Sequence, residues 1–546
     1  MTKRLSRELR RWVCPTCRND ANNNDRGVGA DDAQAIDEDE IAAQLPQLIG
    51  KWKANIKVLQ RVPKGARVNA AEAYCKLVDD VVEGNSIFAW GRLFGFAYSA
   101  LRCPPRTSSD GSNQRSLTSI VRNQINDYMS HPSLPARQDN DVTQVQRSSQ
   151  PSLAKRVASK LADCNIRGAV RILASDDSFA GYSEEVTAAL QQKHPPAPPN
   201  VVLPPAPDND TPPFQATKEQ VLEGLHSFPS SSGSGPDNIR PGHLLSLTTK
   251  GSGAAGERLK TSLTNICNLV LSGRVPESIR PLFYGASLCA LSKKDGGIRP
   301  IAVGNTLRRL ATKVLIFPTT AEIREQVQPT QLGVGTPAGC EAALRAVRHY
   351  MESTSSPKVL LKIDLKNAFN SIRRDKILES VREHLPDTYH MFYQAYGAHS
   401  LLFHGEKTIR SETGLQQGDP AGPALFALTI DGLTKSLVSE LNVWFLDDGT
   451  TGDLVARVAA DLDRLLEGFP LLGAELNGDK CEITPLNHTQ EQLTNTIGIF
   501  RSKLPTIKVI LPGDQELLGS PLLGSAVPAV LEKKRAELER LTSRLE

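Results

Sequence analysis

Two short apolar runs that each end on carboxylates constrain this chain more than any other feature. VLLKIDLKNAFNSI (359–372) passes through a strand-length apolar stretch, broken only by Lys362, and reaches Asp364. NVWFLDDGTTGD (442–453) passes through Val443 to Leu446 into Asp447, Asp448 and Gly449. Apolar runs of this length are the pattern of buried strands. A carboxylate at the end of a buried strand is costly unless it is paired, hydrogen-bonded or bound to a cation. Adjacent carboxylates also repel one another, and a divalent metal relieves that repulsion directly. Each run has a plainer reading alone: Asp364 as the cap of a following helix, and Asp448-Gly449 as the turn of an ordinary hairpin.

Two further segments carry chemistry. GLQQGDPAGPALFALTI (414–430) places Gly418, Pro420, Gly422 and Pro423 in a tight loop feeding an apolar helix. So open a backbone, with Gln417 and Asp419 beside it, suits close approach to a flat ligand such as a base pair. LSKKDGGIRPIAVGNTLRRLATK (291–313) holds six Lys or Arg and one Asp, a local net charge of +5. Its two apolar runs flanking KKDGG predict a hairpin with basic residues at the tip and just beyond, suited to triphosphate or nucleic-acid backbone. A solvated basic face is the alternative.

The 546 residues correspond to roughly two to four domains. A net charge of +4, from 64 Lys plus Arg and 60 Asp plus Glu, is silent about partners. No run approaches the roughly 18 apolar residues of a membrane span, and MTKRLSRELRRW lacks the apolar core of a secretory signal. An intracellular place, nuclear or cytoplasmic, and no membrane partner are therefore expected. Nine scattered cysteines fit a reducing compartment. Cys14 and Cys17 form a CxxC with no second ligand pair at zinc-finger spacing, so it reads as inert or as a zinc half-site.

Composition and periodicity divide the chain into a disordered tail (1–35), a helical module (36–103), a Ser/Pro/Asn/Gln-rich linker (104–150) and a short helical unit (151–193). Within that unit Ser183 and Glu184 mark a helix start. The proline-rich stretch up to 213 predicts a separator between the N-terminal part and the main body. Beyond 214, helices alternate with short strands, the pattern of an α/β or α+β domain.

The order of these segments matters. Nucleotidyl transfer to a 3′-hydroxyl needs two divalent metals roughly 3.5–4 Å apart, bridged by carboxylates from separate strands. From about 216 to 530 the chain resembles the reverse transcriptase family, specifically the non-LTR retrotransposon type. SSGSGPDNIRPGHL, ASLCALSKKDGGIRPIAVGNTLRRLATK, QLGVGTPAGCEAA, LKIDLKNAFNSI, QQGDPAGP, FLDDG, LNGDKCEI and ELLGSPLLGS carry that resemblance, in that order.

The resemblance implies an α+β right-hand polymerase fold: fingers with part of the palm at 214–354, palm at 355–525, and the start of a truncated thumb at 526–546. It implies Asp364, Asp447 and Asp448 as metal-binding carboxylates, with Asp448 the least direct. Lys480 would be a proton donor to the leaving pyrophosphate. Lys293 and Arg299 would bind the triphosphate, and Gln417 and Gly418 would shape the nucleotide and template pocket. Phe369 stands where an aromatic side chain blocks a ribose 2′-hydroxyl, which argues against an RNA-copying polymerase. Two Mg²⁺ ions (Mn²⁺ a substitute), an RNA template, a DNA primer and dNTPs are the implied cofactors and partners; oligomeric state stays open. The chain departs from the commonest form in having Phe445-Leu446 before the aspartate pair, where Tyr-Ala is usual. No endonuclease signature and no Cys/His knuckle follow LEKKRAELERLTSRLE, so an element product that is truncated is expected, and a catalytically inactive relic that at most binds nucleic acid is the alternative.

Overall fold

The computed structural model of the chain describes residues 38–104, 116–131, 134, 152–162, 164–175, 178–208, 210–292 and 296–545. The expected tail, Cys14, Cys17 and Lys293 lie outside these residues. The first elements are helices α1 (Glu38–Asn55), α2 (Arg67–Gly84), α3 (Ile87–Ala100) and α4 (Leu117–Ser130). In α3, IFAWGRLFGFAYSA, every residue but Phe88 and Ser99 is buried. A helix apolar over nearly its whole circumference has to be covered nearly all round.

That requirement corrects two sequence expectations. The stretch 104–150 is not linker throughout, because α4 lies inside it. Val121, Ile125 and Tyr128 share one face of α4 and are buried. Tyr128 Oη donates to Arg92 O at 2.6 Å, and Arg92 Nη2 donates to Tyr128 O at 3.0 Å. Nor do the N-terminal helices form a module apart. One hydrophobic core runs without interruption from Ile41 and Trp90 through Leu310 and Leu425 to Ile507.

Next come α5 (Leu153–Ala162), α6 (Ile166–Ala174), strand β1 (Ser178–Phe179) and α7 (Glu184–Gln192). As expected, Ser183 caps α7, its hydroxyl accepting Val186 N at 3.2 Å. The described part of the proline-rich stretch holds no helix or strand, yet it is bound along its length. Thr413 Oγ1 donates to Pro196 O at 3.0 Å, and Tyr389 Oη donates to Pro205 O at 2.8 Å. It is a strap on the main body, not a tether.

The rest is α+β. After the long helix α8 (Gly253–Leu271) come β2 (Ala286–Ser292) and β3 (Ile298–Gly304), the expected antiparallel hairpin. They join β1, β5 (Ser400–His404) and β6 (Lys407–Ser411) in a five-stranded sheet. A second five-stranded sheet has the order β10-β9-β4-β8-β7. Its strands are β4 (Lys358–Ile363), β7 (Leu441–Phe445), β8 (Asp448–Asp453), β9 (Glu482–Leu486) and β10 (Lys508–Val509). β4 lies at its centre, antiparallel to both β8 and β9. Helices α9 (Thr306–Val327), α10 (Gly339–Ser353), α11 (Gly422–Lys435) and α12 (Val455–Leu472) surround the sheets. A short hairpin, β11 (Glu516–Leu517) with β12 (Ser520–Pro521), then leads to α13 (Val527–Leu545).

Candidate active site

The alternation of β4 fixes where Asp364 points. Val359, Leu361 and Ile363 belong to the main core, and Leu360 belongs to a second cluster with Val347, Leu486 and Leu522. With a side-chain period of two, Lys362 and Asp364 follow Leu360 to the other face. The antiparallel register sets Ile363 opposite Gly449, which brings Asp364 alongside Asp448 where the ladder ends. Asp364, Asp448, Lys362, Lys480, Glu482 and Lys508 line a cleft of about 290 Å³ together with Leu517, Leu518 and Gly519.

The aspartate hairpin departs from expectation in one detail. Phe445 pairs with Asp448, so Leu446 and Asp447 form the turn and Asp448-Gly449 open β8. Gly449 is required for another reason: a Cβ there would meet the Trp444 ring at 2.6 Å. Leu446 has a φ of +58°, unusual for a branched side chain.

Negative charge accumulates here. Burial raises the Asp448 carboxyl to about 6, and the charges of Asp447 and Asp364 push the same way, while Lys362 and Lys480 oppose them. Asp447 is also raised, by burial and then by Asp364, with Lys480 opposing. Asp364 is fixed by Asn477, whose Nδ2 donates to Oδ1 at 2.9 Å and whose backbone N–H donates to Asp364 O at 2.8 Å. Hard carboxylate oxygens that repel one another suit Mg²⁺ in donor chemistry. They do not form a finished cage: among the described residues no three His, Cys, Asp or Glu side chains are gathered closely enough to hold an ion as they stand.

Other residues singled out from the sequence lie nearby or with the sheet that contains β3. Phe369 stacks on Phe426, with centroids 4.7 Å apart and planes 22° apart, and its carbonyl accepts Leu415 N at 2.6 Å. Gln417 O accepts Ala302 N at 2.8 Å, tying its loop to β3. Gly418, at φ +131°, approaches Ala302 O so closely that a Cβ would lie 2.3 Å from it. Arg299 is exposed on β3 and is not part of the cleft lining. The structure thus gathers Asp364, Asp447, Asp448 and Lys480 into one electrostatic group and leaves Arg299, Gln417 and Gly418 with β3.

The basic run beyond the hairpin is corrected. Arg308 is 2% exposed and Arg309 8%, so neither is a surface cation. Arg308 Nη2 meets Asp419 Oδ2 at 2.6 Å, Arg308 Nη1 donates to Gln416 Oε1 at 2.6 Å, and Tyr396 Oη donates to Asp419 Oδ2 at 2.5 Å. Arg309 donates to Gly233 O at 2.6 Å. Arg308 and Tyr396 thus hold the loop that carries Gln417 and Gly418, while Arg309 ties α9 to Gly233. Sequence reasoning also missed Asn477, and it missed Gln331, whose side chain bonds both sides of the Leu446 residue. Both lie inside segments quoted for the resemblance, but nothing local marks either as a support for an aspartate.

Residues 291–496 match the family described as reverse transcriptase (RNA-dependent DNA polymerase). Over 334 residues the chain is 26% identical to the Retrovirus-related Pol polyprotein from type-2 retrotransposable element R2DM of Drosophila melanogaster; the match covers 54% of this chain and 29% of that polyprotein. The chain therefore spans less than a third of that relative. Telomerase from Candida albicans, solved with a fragment of telomeric RNA, aligns at 10% identity and TM-score 0.30, covering 38% of this chain and 43% of the other. Apo telomerase from Candida tropicalis aligns at 12% identity and TM-score 0.28, covering 36% and 44%. Scores at that level establish no shared topology.

Proposed function

We propose, for a chain that carries a reverse transcriptase domain of the non-LTR retrotransposon type, that it is an RNA-directed DNA polymerase that adds dNTPs to a primer 3′-end on an RNA template. The register that sets Asp364 beside Asp448 is the observation that carries this reading. In it, the β2–β3 hairpin belongs to the fingers (214–354), the sheet centred on β4 to the palm (355–525), and α13 opens the thumb.

Asp364, Asp447 and Asp448 would hold two divalent ions, Mg²⁺ with Mn²⁺ as a substitute. Bound there, such ions lower the pKa of the attacking hydroxyl and neutralise charge developing on the triphosphate. Asn477 keeps Asp364 at the strand end while the neighbouring carboxylates repel it. Lys480 lines the cleft and supplies a proton to the departing pyrophosphate. Arg299 and Lys293, from the hairpin, bind the triphosphate. Phe369, backed by Phe426, fills the space a 2′-hydroxyl would need. Gln417 and Gly418 shape the pocket for the templated pair. The protein would work inside the cell, in nucleus or cytoplasm; among the described residues no helix is long and apolar enough to cross a membrane.

Primer extension on an RNA template with dNTPs or rNTPs tests the reading. The expected result is Mg²⁺-dependent extension with dNTPs, little with rNTPs, and more rNTP use by Phe369→Val. Preference of the parent chain for rNTPs would make it an RNA-copying polymerase instead. Nucleic-acid binding with no synthesis would make it an inactive relic.

A further inference from the structure

We infer that Gln331 is a positioning residue for the aspartate turn: its side-chain amide clamps Leu446 and so sets where Asp447 presents its carboxylate. The inference rests on the reading of Asp447 as a metal ligand. Gln331 is 2% exposed. Its Oε1 accepts Leu446 N at 2.7 Å, and its Nε2 donates to Leu446 O at 3.1 Å. One amide group therefore satisfies both backbone groups of the residue immediately before Asp447. The same Oε1 accepts Gly333 N at 2.9 Å, which fixes the amide in turn.

The surroundings leave this clamp little freedom. β7 is the edge strand of its sheet, and the segment around Gln331 covers that edge. Trp444 N donates to Thr330 O and Leu332 N donates to Trp444 O, both at 2.8 Å, with Gln331 forming a parallel bridge to Trp444. Leu446 sits at φ +58°, a conformation that a branched residue keeps only when its neighbours impose it. The two amide bonds of Gln331 are what the structure offers to impose it. Gln331 has no carboxylate, thiol or imidazole to ligate a metal, and it is absent from the cleft lining. Its effect on chemistry passes through the backbone of the turn. Groups that orient a metal ligand in this way change metal affinity or activity by roughly 10–100-fold when removed.

The test is Mn²⁺ binding to the full chain, followed by electron paramagnetic resonance, alongside primer–template affinity and melting temperature. Asp364→Asn identifies the signal of the carboxylate site. Gln331→Met, similar in size but unable to make either amide bond, is expected to weaken Mn²⁺ binding by about tenfold or more while leaving primer–template affinity unchanged. Gln331→Glu, which keeps the acceptor for Leu446 N but loses the donor to Leu446 O, is expected to fall between. Should Gln331→Met melt far below the parent, Gly333→Ala disturbs the same clamp, since its added carbon would lie 2.7 Å from Leu446 N and 2.9 Å from Gln331 Oε1. Weakened Mn²⁺ binding in that variant supports the inference as well. Parental Mn²⁺ affinity in a folded Gln331→Met or Gly333→Ala chain overturns it. Absence of Asp364-dependent Mn²⁺ binding in the parent itself overturns the catalytic reading, and the inference falls with it; the two failures differ in which protein shows them.

Discussion

Burial and the neighbouring carboxylates raise the pKa of Asp448, and the direction has a consequence for stability. A carboxyl raised on folding holds its proton more firmly in the folded chain. Its contribution is fully present below the ordinary carboxyl value of 3.8 and is lost as pH climbs through about 6. Asp448→Asn removes the charge that near-neutral pH forces into the cleft. In EDTA the variant is expected to melt above the parent at about pH 7.5, with the gap narrowing towards about pH 5. Thermal unfolding across that range checks it, and a gap independent of pH contradicts it. The carboxylates themselves were legible in the sequence, because an apolar run ending on Asp is a local pattern. Their supports were not. Asn477 reaches Asp364 across 113 positions and Gln331 reaches Leu446 across 115, and no local spacing encodes such partnerships.

At the scale of elements, the loop bearing Gln417 and Gly418 is held at two points. Gly418 packs on the carbonyl of Ala302 in β3, and Asp419 is paired with Arg308 from α9, both side chains being 3% exposed. Removing one partner of a buried ion pair strands the other charge, at a cost of about 3–5 kcal/mol. Asp419→Ala is therefore expected to lower unfolding free energy by about that much, measured by denaturant titration; a loss below about 1 kcal/mol would mean the pair carries little. Gly418→Ala is expected to weaken dNTP use, because a methyl cannot fit against Ala302; an unchanged KM for dNTP would contradict the close packing. The hairpin of β2 and β3 was legible from its paired apolar runs. The fate of the cations beyond it was not: a count of charges reads as surface, and only the distant Asp419 and Gly233 show that Arg308 and Arg309 turn inward.

Across the whole molecule, the N-terminal helices share one core with the rest. Trp90 meets Phe283 with centroids 5.2 Å apart, and Tyr98 Oη donates to Pro236 O at 2.5 Å. A chain beginning at residue 214 would expose the partners of the largely buried α3, and is expected to be insoluble or to lose cooperative unfolding, as read by calorimetry. A soluble chain from 214 with a sharp transition would restore the picture of separate modules. Helical periodicity in 36–103 was legible; that the helices cover the main body was not, because periodicity shows which face is apolar and not what lies against it. The account as a whole stands on the three carboxylates acting together at the end of β4 and the β7–β8 turn. Its most direct test is single-turnover extension of a primed RNA template by the parent and by Asp364→Asn, with primer–template binding measured in both. The expected result is equal binding with extension abolished in the variant. Equal extension by the two proteins would contradict the account.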